Sequence, residues 1–305
     1  LPASDLHAQD ITFDGRYLWL RAKGWDDPSG TIDYTYQVDI EYPAAVNCRV
    51  IDSGDYDGDR TSDIAVFRPS TGFWAVKDVT RAYFGREDDI PASGDFNGDG
   101  TTDIAVFRPS SGLWAVKDGV RLYFGADGDI PVPGDYNGDG TVEGAIFRPS
   151  SGLWAVQGGR RVYFGADGDI PVPHYTALGG SKQIAVFRPS SGLWAVREGQ
   201  RVYFGAGDDQ PVIGSYQDPY TTTPAIYRSA SGLWAVRGVT RSYFGIPDDQ
   251  PVPGNYTGFL PADVGIFRSS SGLWAVQGVT RAYFGTEGDI AVSTFSINPS
   301  SAAVL

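Results

Sequence analysis

One cysteine, Cys48, stands in 305 residues, and no methionine occurs at all. A single thiol excludes an intramolecular disulfide and every Cys-based metal spacing. Its expected role is that of a small buried apolar side chain. Histidine is almost as scarce, with only His7 and His174. Neither sits in a pattern suited to zinc, to a catalytic triad or to general acid–base work. No apolar run reaches the length that crosses a bilayer as a helix, so no membrane span is expected. Basic residues are outnumbered, 24 against 37 acids, leaving a net charge of -13. Nucleic acid and anionic membrane are poor partners for such a balance. The chain opens on Leu1 without a recognisable signal peptide, which reads as a mature, secreted form.

What the sequence has in abundance is repetition. Trp74, Trp114, Trp154, Trp194, Trp234 and Trp274 are spaced by 40 residues, and a Phe-Gly pair keeps the same step from Phe84 to Phe284. Six copies run without insertion from about 50 to 289. A period of this size marks one supersecondary unit that stacks on its neighbours to bury its apolar faces.

Each copy holds four short runs rich in β-branched and aromatic residues, as in Ile104-Phe107, Leu113-Val116, Leu122-Phe124 and Ile130-Val132. Asn-Gly-Asp-Gly, Pro-Ser-Ser-Gly and Gly-Ala-Asp-Gly turns separate them. The runs are apolar on both faces, so each four-stranded sheet needs cover on both sides. Radial repetition of such sheets makes a β-propeller. The predicted fold is all-β, with one domain over 1–305.

The ends suggest how the ring closes. Residues 1–49 read as a hairpin (Ile11-Phe13 and Tyr17-Ala22) and a longer strand (Thr31-Tyr42). Those are three strands of a blade lacking its first. Ile290-Ala291-Val292 follows Asp289 as Ile130-Pro131-Val132 follows Asp129. Residues 290–305 are therefore expected to supply the missing strand, giving a seventh blade shared between the termini. A second strand at Ala302-Leu305 would make that blade split two and two, and both splits stay open.

Three loops carry the chemistry. Asp55, Asp57, Asp59 and Asp63 place oxygens at loop positions 1, 3, 5 and 9, with the Thr61 carbonyl at position 7. Asp95, Asn97, Asp99, Thr101 and Asp103 repeat the pattern, as do Asp135, Asn137, Asp139, Thr141 and Glu143. Crowding carboxylates into nine residues costs repulsion unless a cation neutralises them. Hard oxygens in a flexible loop select Ca²⁺. An EF-hand would close with Glu at position 12, where the second loop has Val106. The loops therefore join strands rather than helices. Three calcium sites are expected. Arg60 replaces the position-6 glycine of the first loop, a strained substitution if that position is left-handed. The later copies have lost the loop: the one at 174 keeps no acid, and those at 215 and 255 keep scattered oxygens, with Asp263 at the closing position.

Phe-Gly, a short apolar strand, Gly-Asp-x-Asn-Gly-Asp-Gly-x-x-Asp and a second strand resemble the FG-GAP repeats of the integrin α-subunit propeller and its bacterial relatives. The resemblance covers about 50–295. It implies seven blades, calcium in the three acidic loops, an extracellular or cell-surface setting, and work in binding or adhesion. Fungal lectins with similar repeats hold sugars between blades. One departure is Arg-Pro-Ser-Ser-Gly where that family tends to have Gly-Ala-Pro, so the role of that turn does not carry over.

Four further columns recur in every copy. Arg68, Arg108, Arg148, Arg188, Arg228 and Arg268 follow the second strand. Arg81, Arg121, Arg161, Arg201, Arg241 and Arg281 open the fourth. Asp89, Asp129, Asp169, Asp209, Asp249 and Asp289 end each copy, and Tyr83, Tyr123, Tyr163, Tyr203, Tyr243 and Tyr283 precede the Phe-Gly pairs. The arginines and aspartates suit a structural clasp between blades. The first arginine column and the tryptophans are also candidate contacts for a small ligand such as a sugar, on the face opposite calcium. No enzymatic constellation appears. Two function classes remain open: a multivalent carbohydrate-binding propeller, and a protein-interaction or assembly module at the cell surface.

Overall fold

The computed structural model describes residues 8–13, 17–23, 33–39, 54–176, 179–218, 221–258 and 262–293. They divide into two compact units, Leu1–Asn47 and Cys48–Leu305. Cys48 and Ala302-Leu305 lie outside the described residues. The first unit is a three-stranded antiparallel sheet of Ala8–Phe13, Tyr17–Lys23 and Asp33–Asp39, paired in that order.

The second unit holds six four-stranded antiparallel blades. Blade 2 shows the plan, with strands Ile90–Pro91, Ala105–Arg108, Leu113–Val116 and Arg121–Tyr123. Register sorts the side chains into rows. Ile90, Phe107, Trp114 and Leu122 lie opposite one another across the four strands. The neighbouring row runs through Pro91, Val106, Ala115 and Arg121. Because strand side chains alternate, these rows face opposite sides. One face of every blade is thus aromatic, and the other carries small aliphatic residues.

The aromatic face of one blade packs on the aliphatic face of the next. Phe67 and Trp74 of blade 1 cluster with Val106, Leu113 and Ala115 of blade 2. Phe107 and Trp114 pack on Ile146 and Ala155. The pattern continues until Phe267 and Trp274 of blade 6 meet Val66 and Ala75 of blade 1. Within each blade the paired rings sit 4.9–5.3 Å apart in tilted geometry, a favourable arrangement for aromatic quadrupoles.

Two glycines explain the Phe-Gly column. Gly112, at φ 65°, turns the chain between strands two and three, where a Cβ would overlap the Gly125 carbonyl oxygen. Phe124 N–H donates to Gly112 O at 2.7 Å, sealing that contact. Gly125, at φ 104°, lies against Phe107 and Ile146 of the next blade. A side chain at either position would separate the link from the strands it covers.

The ring has six blades, not the expected seven. Ile290 pairs with Phe67 and Ala291 with Val66, so the C-terminal strand completes the first repeat. Val292 N–H then donates to Ala65 O, as Val132 N–H does to Ala145 O. Among the described residues, the three N-terminal strands form a sheet of their own. The physical reason lies in the aspartate column. Arg49 stands where every later copy has the aspartate preceding strand one. Only Asp289 is left to pair with Arg68, and it does, 221 residues away.

Truncation after Asp289 removes the first strand of blade 1 and bares the edge of Ala65–Arg68. Several kcal/mol lost from a domain this size should lower the melting temperature by roughly 10 °C or cause aggregation. Calorimetry and light scattering check this, and unchanged melting in a monomer would contradict the closure.

Candidate functional site

The second strand of each blade emerges from a loop that begins at the position of Asp55, Asp95 or Asp135. Those three side chains are buried and organise their loops. Asp95 Oδ1 accepts Gly98 N–H at 2.6 Å, and its Oδ2 accepts Gly100 N–H at 2.8 Å. Asp55 holds Gly58 and Arg60 in the same way, and Asp135 holds Gly138 and Gly140. The closing acid ties the far end, Asp63 to Tyr56 N–H, Asp103 to Phe96 N–H and Glu143 to Tyr136 N–H, at 2.7–2.9 Å. At position 5, Asp59, Asp99 and Asp139 each accept the following threonine's N–H and hydroxyl. Position 6 is left-handed throughout, at φ 92° for Gly100, 90° for Gly140 and 72° for Arg60. Arg60 therefore bears a strain of about 1–2 kcal/mol.

The loops are also joined to one another. Thr102 N–H donates to Asp55 O, Val142 N–H to Asp95 O and Lys182 N–H to Asp135 O, at 2.6–2.8 Å. The position-8 amide of each loop thus fixes the position-1 residue of the loop before it.

Carboxylate oxygens of Asp55, Asp57 and Asp63 lie within 4.8 Å of one another, as do those of Asp135, Asp139 and Glu143. The second and third loops carry Asn97 and Asn137 in the place of Asp57. Asn137 Nδ2 bridges Asp139 at 2.9 Å and Glu143 at 2.6 Å, so an amide lies between two carboxylates. Burial, followed by Coulombic pressure from Asp57, Asp55 and Asp59, pushes Asp63 up to about 6. Asp103 and Glu143 rise chiefly through burial, with their loop acids adding to the shift. The degenerate loop at 255–263 offers the contrast. Asp263 still bonds Tyr256 N–H at 2.9 Å, and it is raised by burial alone, with no carboxylate pressing on it. Hard oxygen donors and mutual repulsion among the carboxylates together fit a hard cation such as Ca²⁺.

The other copies make the same connection without the acidic cluster. His174–Thr176 pairs with Gly179–Gln183 in blade 4, and Gly214–Asp218 with Thr221–Thr223 in blade 5. Burial holds His174 below the usual imidazole range.

The structure places the first arginine column in clasps. Arg108 Nε donates to Asp89 Oδ1 at 2.6 Å and Nη2 to Oδ2 at 2.9 Å. Arg68, Arg148, Arg188, Arg228 and Arg268 repeat this bidentate pair with Asp289, Asp129, Asp169, Asp209 and Asp249. The aspartate side chains are 0–1 % exposed. Each also accepts a backbone N–H three residues upstream, such as Arg86 or Ala126. The tryptophans are 0–5 % exposed. Trp74, Trp114, Trp154, Trp194 and Trp234 donate Nε1–H to the Phe carbonyl ten residues on. A buried ring offers no face to a sugar. Both columns, read as candidate ligand contacts, are thus occupied in holding the blades and their links. The tyrosine column differs: all six are 73–79 % exposed. The sequence pattern reads them, like the tryptophans, as blade packing before sugar contact; their place on the outermost strand is the signal against burial.

Residues 90–124 match the family model of the FG-GAP repeat. No curated protein and no solved structure matches the chain. The matched stretch is blade 2 itself, from its first strand through its acidic loop to Phe124. With six such blades in the ring, it supports an FG-GAP repeat propeller.

Two outcomes follow from this geometry. Arg108→Ala leaves the buried Asp89 carboxylate without its guanidinium, at a cost of about 3 kcal/mol, and Arg108→Lys recovers little because the bidentate fork is lost. Urea unfolding measures both. In metal-free protein, the raised value of Asp63 means its contribution to stability is full below about 4 and lost as pH rises through about 6. Melting in EDTA should therefore fall between pH 4 and 6.5. Asp63→Asn should flatten that fall.

Proposed function

We propose that this chain is a non-enzymatic, calcium-stabilised binding propeller that works outside the cell, with glycans as its ligand class. The observation that carries the calcium reading is the contrast between loops. Where three or four acids converge, neighbouring carboxylates add to the shift of the closing acid; where Asp263 stands without them, burial acts alone. Asp55, Asp57, Asp59, Asp63 and the Thr61 carbonyl would hold the first ion. Asp95, Asn97, Asp99, Asp103 and the Thr101 carbonyl would hold the second. Asp135, Asn137, Asp139, Glu143 and the Thr141 carbonyl would hold the third. Calcium supplies charge neutralisation there and no reaction chemistry. The 255–263 loop keeps its closing bond without that acid cluster, so the ion acts as a local staple rather than a condition of folding.

A cell-surface protein partner is the second reading, and one observation favours it. Blades 4 and 5 replace the acidic loops with short hairpins, which makes one sector of the ring chemically distinct. Repetition of the remaining surface features favours the glycan.

Affinity for calcium should match that of extracellular modules, about 10⁻⁴–10⁻³ M. Native mass spectrometry should count three ions, and millimolar Ca²⁺ should raise the melting temperature over EDTA by mass action. Identical melting in both conditions, with no bound metal, would overturn the reading.

A further inference from the structure

The outermost strand of every blade presents the same pair. Arg121 and Tyr123 are both exposed, with Leu122 between them turned inward and half-buried. Residues two apart on a strand share a face, roughly 6.5 Å apart. The same pair stands at Arg81 and Tyr83, Arg161 and Tyr163, Arg201 and Tyr203, Arg241 and Tyr243, and Arg281 and Tyr283. None of these arginines makes an ion pair among the described residues. That separates them from the first arginine column, which the clasps consume.

Charge is distributed unevenly to match. The outer hairpin segments, 77–83, 117–123, 157–163, 197–203, 237–243 and 277–283, contain eleven Lys and Arg against three Asp and Glu. This stands out on a chain whose net charge is -13. The acids gather in the loops at 55–63, 95–103 and 135–143, and in the links beyond the tyrosines. The strand itself is basic and aromatic.

We infer that the six outer strands form a multivalent docking rim for an acidic polysaccharide, with each Tyr ring stacking on a sugar and the adjacent Arg pairing with its carboxylate or sulfate. The six Tyr rings stand 73–79 % exposed at one position of every blade, so their faces are open to a ligand. Guanidinium donors in a fork match carboxylate and sulfate oxygens. A polymer of repeating units is the partner that a sixfold array of identical weak sites can engage together. Single-stranded nucleic acid could use the same stacking and guanidinium contacts, and the oligo-dT arm of the test separates it from an acidic glycan. This assignment rests on the binding-propeller reading, names its ligand, and does not depend on calcium.

The test uses the full chain on immobilised polygalacturonate and heparin, with dextran and single-stranded oligo-dT as comparisons. Wild type should be retained on at least one acidic glycan, be released by salt, and bind equally in EDTA and Ca²⁺. Arg121, Arg161 and Arg201 changed together to Ala should weaken apparent affinity about tenfold or more. Tyr123, Tyr163 and Tyr203 changed to Ala should do the same, while their change to Phe should leave binding near wild type. All six positions are exposed, and melting curves verify that the variants fold. The inference falls if neither acidic glycan is retained, if dextran binds as well, if oligo-dT binds more tightly, or if the substituted proteins bind unchanged. Unchanged binding by folded variants would remove the rim while leaving a glycan-binding propeller in place. Absence of any glycan binding would remove both, whatever the calcium titration shows.

Discussion

Each blade is a sheet with two apolar faces, and everything else follows from the need to cover both. A face of Phe and Trp meets a face of Val, Ile and Ala, so contact between successive blades is complementary in shape and always in the same direction. A heterologous contact of this kind either propagates or closes. Here it closes after six units, because the aromatic face of blade 6 finds the aliphatic face of blade 1. An open stack would leave Phe267 and Trp274 at one end and Val66 and Ala75 at the other exposed to water. Burying four such side chains is worth several kcal/mol.

The clasp turns that packing into a defined ring. Every link between blades crosses from an outer strand to an inner one and ends on an aspartate with a buried carboxylate. That carboxylate accepts two guanidinium bonds and an amide of its own link. A charge taken out of water is tolerable only when so fully bonded. The arrangement fixes the link as well as the strand, and the Arg68–Asp289 pair ties the last link to a strand 221 residues away in sequence. One pairing rule thus serves all six chain crossings, the last of which delivers the strand that closes the ring.

Much of this was legible in the sequence. Four strands per repeat, the apolar character of both faces and the three oxygen-rich loops are local properties, and local patterns report them. The number of blades is not local. It depends on which unit Ile290-Ala291 joins, and the N-terminal strands offered a plausible alternative because Tyr17-Leu18-Trp19-Leu20 resembles the Leu-Trp-Ala-Val strand. The deciding signal was nevertheless present. Six arginines and six aspartates pair with an offset of one copy, and Arg49 breaks the aspartate column at its start. Arg68 and Asp289 are what remains.

Exposure was the other property that pattern alone could not assign. Trp114 and Tyr123 recur with equal regularity and similar chemistry, yet one is buried and the other faces solvent. What separates them is strand position. The third strand has a neighbour on each side and a blade against each face, whereas the fourth ends the sheet, with Leu122 packed inward and Arg121 and Tyr123 exposed. A periodic aromatic on an inner strand is therefore explained by packing. The same residue on the outermost strand is not explained by packing, and the same holds for the arginine beside it. Repeat architectures must conserve core positions to stack, but folding places no such demand on the rim. A rim that repeats as faithfully as the core points to a surface used six times.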